Sequence, residues 1–259
     1  MINMEQDQIK IGWLYSRSMN LYGDRGNIMS LFRRAKWRGK GVEVLEYNIG
    51  DKFDFADIDL FFFGGGQDMQ QLEVSQDLIK VGKKILKQVE KKGAAMLAIC
   101  GGLQLMANYY ETKGGHRIEG VGLFDAHTVG GEERFIGNVL IDSELAGESN
   151  RLVGFENHSG RTYLAQGVQP LGKVVVGRGN NGEDGTEGVV YQNAIGSYLH
   201  GSLLPKNPWL TDWLLLRAFS RRYGDYQLES LNDEVELRAQ EAAIKLAHHQ
   251  GSVKNITSK

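Results

Sequence analysis

The chain has 259 residues, a formal charge of −2, one cysteine and three prolines. That length holds one large core or two modest ones, and the near-neutral charge gives no electrostatic case for nucleic acid or an anionic membrane surface. A single cysteine rules out an internal disulfide and fits a reducing compartment. The opening Met1–Lys10 lacks the apolar core of a secretory leader and no apolar run reaches membrane-spanning length, so a soluble, cytoplasmic protein is expected.

In chain order, Ile9–Tyr15 reads as a first strand, followed by the polar loop Ser16–Gly26 and a helix carrying Ile28, Leu31, Phe32 and Ala35 on one side. Val42–Ile49 and Asp59–Phe63 are the next strands, the latter ended by Gly64-Gly65-Gly66. Between Gln70 and Lys92, Leu72, Leu78, Val81, Ile85 and Val89 recur at near-helical spacing; Ala94–Ile99 is then a buried strand, and Gly101-Gly102 opens another helix. Strands alternating with helices predict βα units, hence an α/β fold with a mostly parallel sheet flanked by helices. The middle differs: Phe135–Ile141, Lys173–Val176, Gly188–Tyr191 and Ala194–Leu199 are short apolar segments parted by glycine-rich turns such as Gly177–Gly188. They predict several strands, some antiparallel, on or beside that sheet. Asn207-Pro208 marks the start of a helix to Tyr223, and a last, peripheral helix is expected over about 232–250. No repeat or linker breaks the chain, so one domain over 1–259 is expected.

The only cysteine, Cys100, lies where a strand meets a glycine pair. A lone cysteine is ordinarily a small buried hydrophobe. A structural cysteine, however, needs neither the glycines nor a place at a strand's carboxyl end, where α/β proteins keep their sites. A sharp strand-to-helix turn presents a nucleophile, and the helix N-terminus favours the thiolate. Cys100 is therefore the candidate nucleophile.

Such a nucleophile needs a base. His200 follows the last apolar segment and is the choice over His158, which sits in the dense polar loop Phe155–Arg161. His116 and His127 read as surface residues in glycine-flanked loops, and the adjacent His248 and His249 point about 100° apart on a helix, so they form no metal pair. The amides of Gly65 and Gly66, unshielded by Cβ, and of Gly101 directly after the cysteine, are candidate donors to an oxyanion. No phosphate-binding glycine–lysine loop, dinucleotide fingerprint or metal-ligand cluster is present.

With Gly64–Gly66, Ala98–Gln104 and His200 in this order, the chain resembles the class I, triad-type glutamine amidotransferases of the cobyric-acid-synthase-like branch. Asn20–Asn27, Phe63–Asp68 and Glu156–Arg161 make it look like the amidotransferase subunits of lipid II isoglutaminyl synthases. The resemblance runs to about residue 225 and implies a flavodoxin-like architecture. It implies a heterodimer whose Mur-ligase-like synthetase partner holds ATP and Mg, handles the lipid-linked substrate, and amidates D-glutamate to D-isoglutamine, with no cofactor in this chain. It implies Cys100 as nucleophile, His200 as base and Arg134 as the glutamine-binding arginine, a guanidinium suiting an α-carboxylate. Gln104, one turn past the cysteine, is a further substrate contact.

One departure concerns the triad's acid. Such enzymes usually carry glutamate two residues after the histidine, but this chain reads His200-Gly201-Ser202. A dyad, an internal acid such as Glu156 or Asp125, and an acid supplied by the partner on docking all remain open. Rival readings are a stand-alone glutaminase, a corrinoid amidotransferase and a non-catalytic scaffold.

Overall fold

In the computed structural model residues 7–257 are described, apart from 22, 146, 148–149 and 201–202, with only the backbone given for 250–257. The elements in chain order are β1 (Gln8–Leu14), α1 (Arg25–Trp37), β2 (Gly41–Tyr47), β3 (Leu60–Phe63), α2 (Asp68–Leu86), β4 (Ala95–Ile99), α3 (Gly101–Met106), β5 (Tyr109–Glu111) and β6 (Arg117–Glu119). Then come β7 (Ala126–Ser143), β8 (Asn150–Leu164), β9 (Gly172–Val176), β10 (Thr186–Glu187), β11 (Val189–Tyr191), β12 (Ala194–Ser197), α4 (Leu203–Lys206), α5 (Pro208–Tyr223) and α6 (Glu234–Thr257).

The main sheet runs β11-β12-β4-β3-β1-β2, parallel except for the edge strand β11. The first four parallel strands and β12 are thus ordered 2-1-3-4-5, the flavodoxin-like arrangement, whose ligands sit outside the carboxyl ends of the strands. Every residue of β3 and β4 is buried, which explains their uninterrupted apolar sequences: both faces of the sheet's centre are covered. α1 buries Ile28, Leu31 and Ala35 and packs on α5, which lies over β1, β3 and β4. Arg34, nearly fully buried, bridges Asp212 of α5 and Asp233, and Arg38 adds a second guanidinium on Asp212. Asn207 precedes Pro208 as expected, but its side chain does not cap α5. Its amide donates to Val153 and Leu203 carbonyls and ties α5 to β8.

The middle segments form a second sheet, β10-β9-β7-β5-β6, with β8 also paired to β7. Phe155–Arg161, expected as a loop, lies within β8, and Phe155 and His200 exchange backbone hydrogen bonds of 3.2 and 2.8 Å. The alternation is hidden because from Gly154 to Thr162 the buried face of β8 is Gly154, Glu156, His158, Gly160 and Thr162, none of them aliphatic. His127 is likewise on a strand, half-buried and stacked between Tyr109 and Tyr163, rather than in a loop. Among the described residues no helix is long and apolar enough to cross a membrane.

Candidate active site

β3, β4 and β12 are neighbours, with Phe63 opposite Ala98 and Ser197 opposite Ile99. The segments that follow them, carrying Gly64–Gly66, Cys100 and His200, therefore emerge side by side. Cys100 turns there with φ 50° and ψ −103°, a conformation non-glycine residues rarely adopt and hold only when their surroundings fix it. Two backbone bonds do so: Cys100 N–H donates to the Ser197 carbonyl at 2.8 Å, and the Cys100 carbonyl accepts Gln104 N–H at 3.0 Å. The glycine pair follows from crowding, since a Cβ on Gly102 would fall 2.4 Å from the Phe63 carbonyl oxygen. Cys100 is 8% exposed and lines a cleft of about 440 Å³ that His200 also lines.

His200 is buried, with Nδ1 3.9 Å from Oδ1 of the equally buried Asp24. Burial works against a charged imidazole, but the negative charge of an ionised Cys100 and the contact with Asp24 outweigh it, and the pKa is pushed up to about 10. The acid facing this histidine thus comes from the loop that opens α1, inside the Asn20–Asn27 motif. The internal candidates suggested by sequence are elsewhere. Glu156 is buried in β8 and accepts the N–H groups of Arg178 and Gly179 at 3.0 Å. Asp125 is exposed and accepts from Asn108 at 3.0 Å. Gly201 and Ser202 lie outside the described residues.

Asp24 also alters the reading of the glycine triplet. Its Oδ2 accepts the Gly65 N–H at 2.6 Å, so that amide points to the acid and not to an oxyanion. A Cβ on Gly65 would meet His200 Cε1 at 3.0 Å, which leaves glycine as the residue that admits the ring. The remaining candidate donors are the amides of Gly66 and Gly101. They belong to backbones in close approach: a Cβ on Gly101 would lie 3.0 Å from Gly66 N. Gln71 Nε2 braces this segment by donating to the Gly66 carbonyl at 3.1 Å.

Arg134 lines the same cleft, on β7 where the pairing with β8 slips between Gly130 and Phe135. Its guanidinium donates to Asn157 Oδ1 at 2.6 Å and to the Asn157 carbonyl at 3.1 Å. Gln104 borders the cleft but its amide is committed: Oε1 accepts from Gln71 at 2.9 Å and Nε2 donates to the Tyr198 hydroxyl at 3.1 Å. It braces the wall in place of reaching into the cleft. His158 stacks on Tyr198 with ring centroids 3.7 Å apart, and its Nδ1 faces the Gly160 carbonyl at 2.8 Å, which makes Nδ1 the protonated nitrogen. Burial lowers its pKa to about 3, so His158 is neutral where His200 is charged. Sequence reasoning missed Asp24 and Gln71. Asp24 stood in a quoted motif without a role, and Gln71 had no local signal.

Comparison with known proteins places the chain in one family. Residues 10–208 match the CobB/CobQ-like glutamine amidotransferase domain. The lipid II isoglutaminyl synthase (glutamine-hydrolyzing) subunit GatD of Staphylococcus aureus is 40% identical over 94% of this chain and 98% of that protein. The subunit of the same name from Streptococcus pneumoniae is 42% identical over 87% of this chain and 86% of that protein. Among solved structures, that of PurLQS from Thermotoga maritima superposes with a TM-score of 0.57 at 18% identity, covering 82% of this chain and 95% of that one, which is a likeness of fold. On a family match over residues 10–208 and likeness over most of the chain to two subunits of that kind, the chain belongs to the CobB/CobQ-like glutamine amidotransferases.

Proposed function

We propose that this chain is the glutamine-hydrolysing subunit of a two-subunit amidotransferase acting in peptidoglycan synthesis. The observation that carries the chemistry is a cysteine at a left-handed strand-to-helix turn sharing one cleft with a buried, charged histidine. Free glutamine binds with its α-carboxylate on Arg134 and its γ-amide at Cys100. The thiolate attacks the carbonyl carbon of that amide, and the oxyanion that forms is held by the Gly66 and Gly101 amides. His200, carrying a proton, gives it to the departing nitrogen, so the C–N bond breaks, ammonia leaves and a γ-glutamyl thioester remains. The neutral imidazole then takes a proton from water, whose oxygen adds to the thioester carbon; glutamate leaves and the thiolate–imidazolium pair is restored. Asp24 holds the ring throughout and favours its protonated form.

The acceptor is read from the relatives. Their name, lipid II isoglutaminyl synthase, supports D-glutamate of the lipid-linked precursor as the carboxylate amidated to D-isoglutamine. A Mur-ligase-like synthetase subunit activates that carboxylate with ATP and Mg and receives the ammonia in the cytoplasm. The test pairs this chain with its synthetase subunit and compares glutamine with ammonium chloride as nitrogen source. Cys100→Ala is expected to abolish glutamine-dependent amidation and leave the ammonium-driven reaction intact. Equal loss of both reactions would make Cys100 a structural residue and overturn the reading.

A further inference from the structure

A free α-amino acid carries two opposite charges on one carbon, and a site that selects it must answer both. Arg134 answers the carboxylate. Among the described residues lining the cleft there is one carboxylate to answer the ammonium, Asp68. Of the neutral polar side chains there, Gln104 binds Gln71 and Tyr198, and Asn157 Oδ1 accepts from Arg134, while Gln67, Gln71 and Ser159 offer oxygens without a negative charge. A neutral His158, whose Nδ1–H faces the Gly160 carbonyl, brings no negative charge.

Asp68 is placed for the task by two elements. It is the first residue of α2, separated by Gln67 from the Gly64–Gly66 segment that neighbours Cys100, where a helix N-terminus suits a negative side chain. From β5, the buried Tyr110 donates its hydroxyl to Asp68 Oδ1 at 3.2 Å and fixes the carboxylate against the cleft wall. Tyr110 is held protonated by its burial and by the negative charge of Asp68, so it stays a donor across the working pH range. Oδ2 has no protein partner among the described residues and is the oxygen left for a ligand.

We propose that Asp68 binds the α-ammonium group of glutamine and is the residue by which the cleft distinguishes a free amino acid from a γ-amide lacking the amine. The inference rests on the glutaminase reading above and deepens it.

The experiment measures binding to the full chain carrying Cys100→Ala, which cannot turn ligands over, with and without Asp68→Asn. Two ligands are titrated calorimetrically: L-glutamine and glutaramate, which keeps the γ-amide and carboxylate but lacks the amine. Asp68→Asn is expected to weaken L-glutamine about tenfold or more, the scale of a charge-assisted hydrogen bond, and to leave glutaramate unchanged. An unchanged L-glutamine affinity, or an equal loss for both ligands, would overturn the inference, the latter assigning Asp68 to support of α2 and Tyr110 alone. Labelling of Cys100 in the otherwise unaltered chain by 6-diazo-5-oxo-L-norleucine separates the two levels. Labelling alongside either of those results means only the Asp68 assignment fails; no labelling and no binding of either ligand overturns the glutamine reading and this inference with it.

Discussion

Replacing Asp24 with asparagine removes a charge from the centre of the site while keeping its size and an oxygen for the Gly65 N–H. The two groups are 3.9 Å apart and both are buried. At an effective dielectric constant of about 20, a carboxylate at that separation favours the imidazolium by about 4 kcal/mol, or roughly a thousandfold in proton affinity. Removing it should bring His200 from about 10 down to roughly 7, because the remaining forces are burial, which opposes the charge, and Cys100, which supports it. The fraction of His200 able to donate to the leaving nitrogen at pH 8 then falls about tenfold, and kcat/KM for glutamine with it. Glutaminase rates between pH 6 and 10 would show it, with the rate of iodoacetamide alkylation of Cys100 as a second reading. In the native chain the imidazolium limb should persist towards pH 10; in Asp24→Asn it should end near pH 7. A variant whose kcat/KM at pH 8 and whose alkaline limb both match the native chain would refute the role given to Asp24. The same profile taken with and without the synthetase subunit tests the alternative read from sequence, an acid supplied on docking. If the alkaline limb lies at high pH only in the complex, the acid is the partner's and not Asp24.

Arg134→Ala should raise the KM for glutamine about tenfold or more with little change in kcat, since the contact is made to a part of the substrate that does not react; an unchanged KM removes Arg134 from the cleft. Stability should respond to the two buried histidines in opposite pH windows. The folded pKa of His200 lies above its ordinary value, so its contribution is full below about pH 6.5 and is lost as pH rises through about 10. The folded pKa of His158 is lowered, so its contribution is full above about pH 6.5 and is lost as pH falls towards 3. Urea midpoints should therefore decline on both sides of neutrality, and His158→Phe should flatten the acid side alone; an acid limb that survives in this variant removes His158 as its source.

What could be read from the sequence was what the chain writes locally. β3 and β4 are legible because strands covered on both faces must be apolar throughout, and Phe61-Phe62-Phe63 and Met96–Ile99 are. The turn at Cys100 is legible because Gly102 answers a clash with the end of the neighbouring strand β3, and Gly101 one with Met19 and the glycine segment. β8 was not legible, and the reason is chemical: its buried face carries Glu156, His158 and Thr162, whose partners are backbone amides, a carbonyl and the Tyr198 hydroxyl, so burial leaves no apolar alternation. Hydropathy reports burial against a hydrocarbon core and misses burial against polar partners.

Asp24 escaped for a related reason. Its setting is created by packing alone: the loop after β1 crosses the ends of β3 and β12 and sets the carboxylate between the Gly65 amide and the His200 ring. Neither contact has a fixed spacing along the chain. A search for an acid two residues beyond the histidine therefore looks for a positional habit, whereas the chemistry asks only that a buried negative charge face Nδ1. That requirement fixes a place in space, and in this fold the place lies beside the strand ends that also hold the glycines and the thiol. It follows that the glycine segment and the acid are one unit. The carboxylate that faces the imidazole also binds the Gly65 amide, so changing either should disturb both the histidine and the glycine segment.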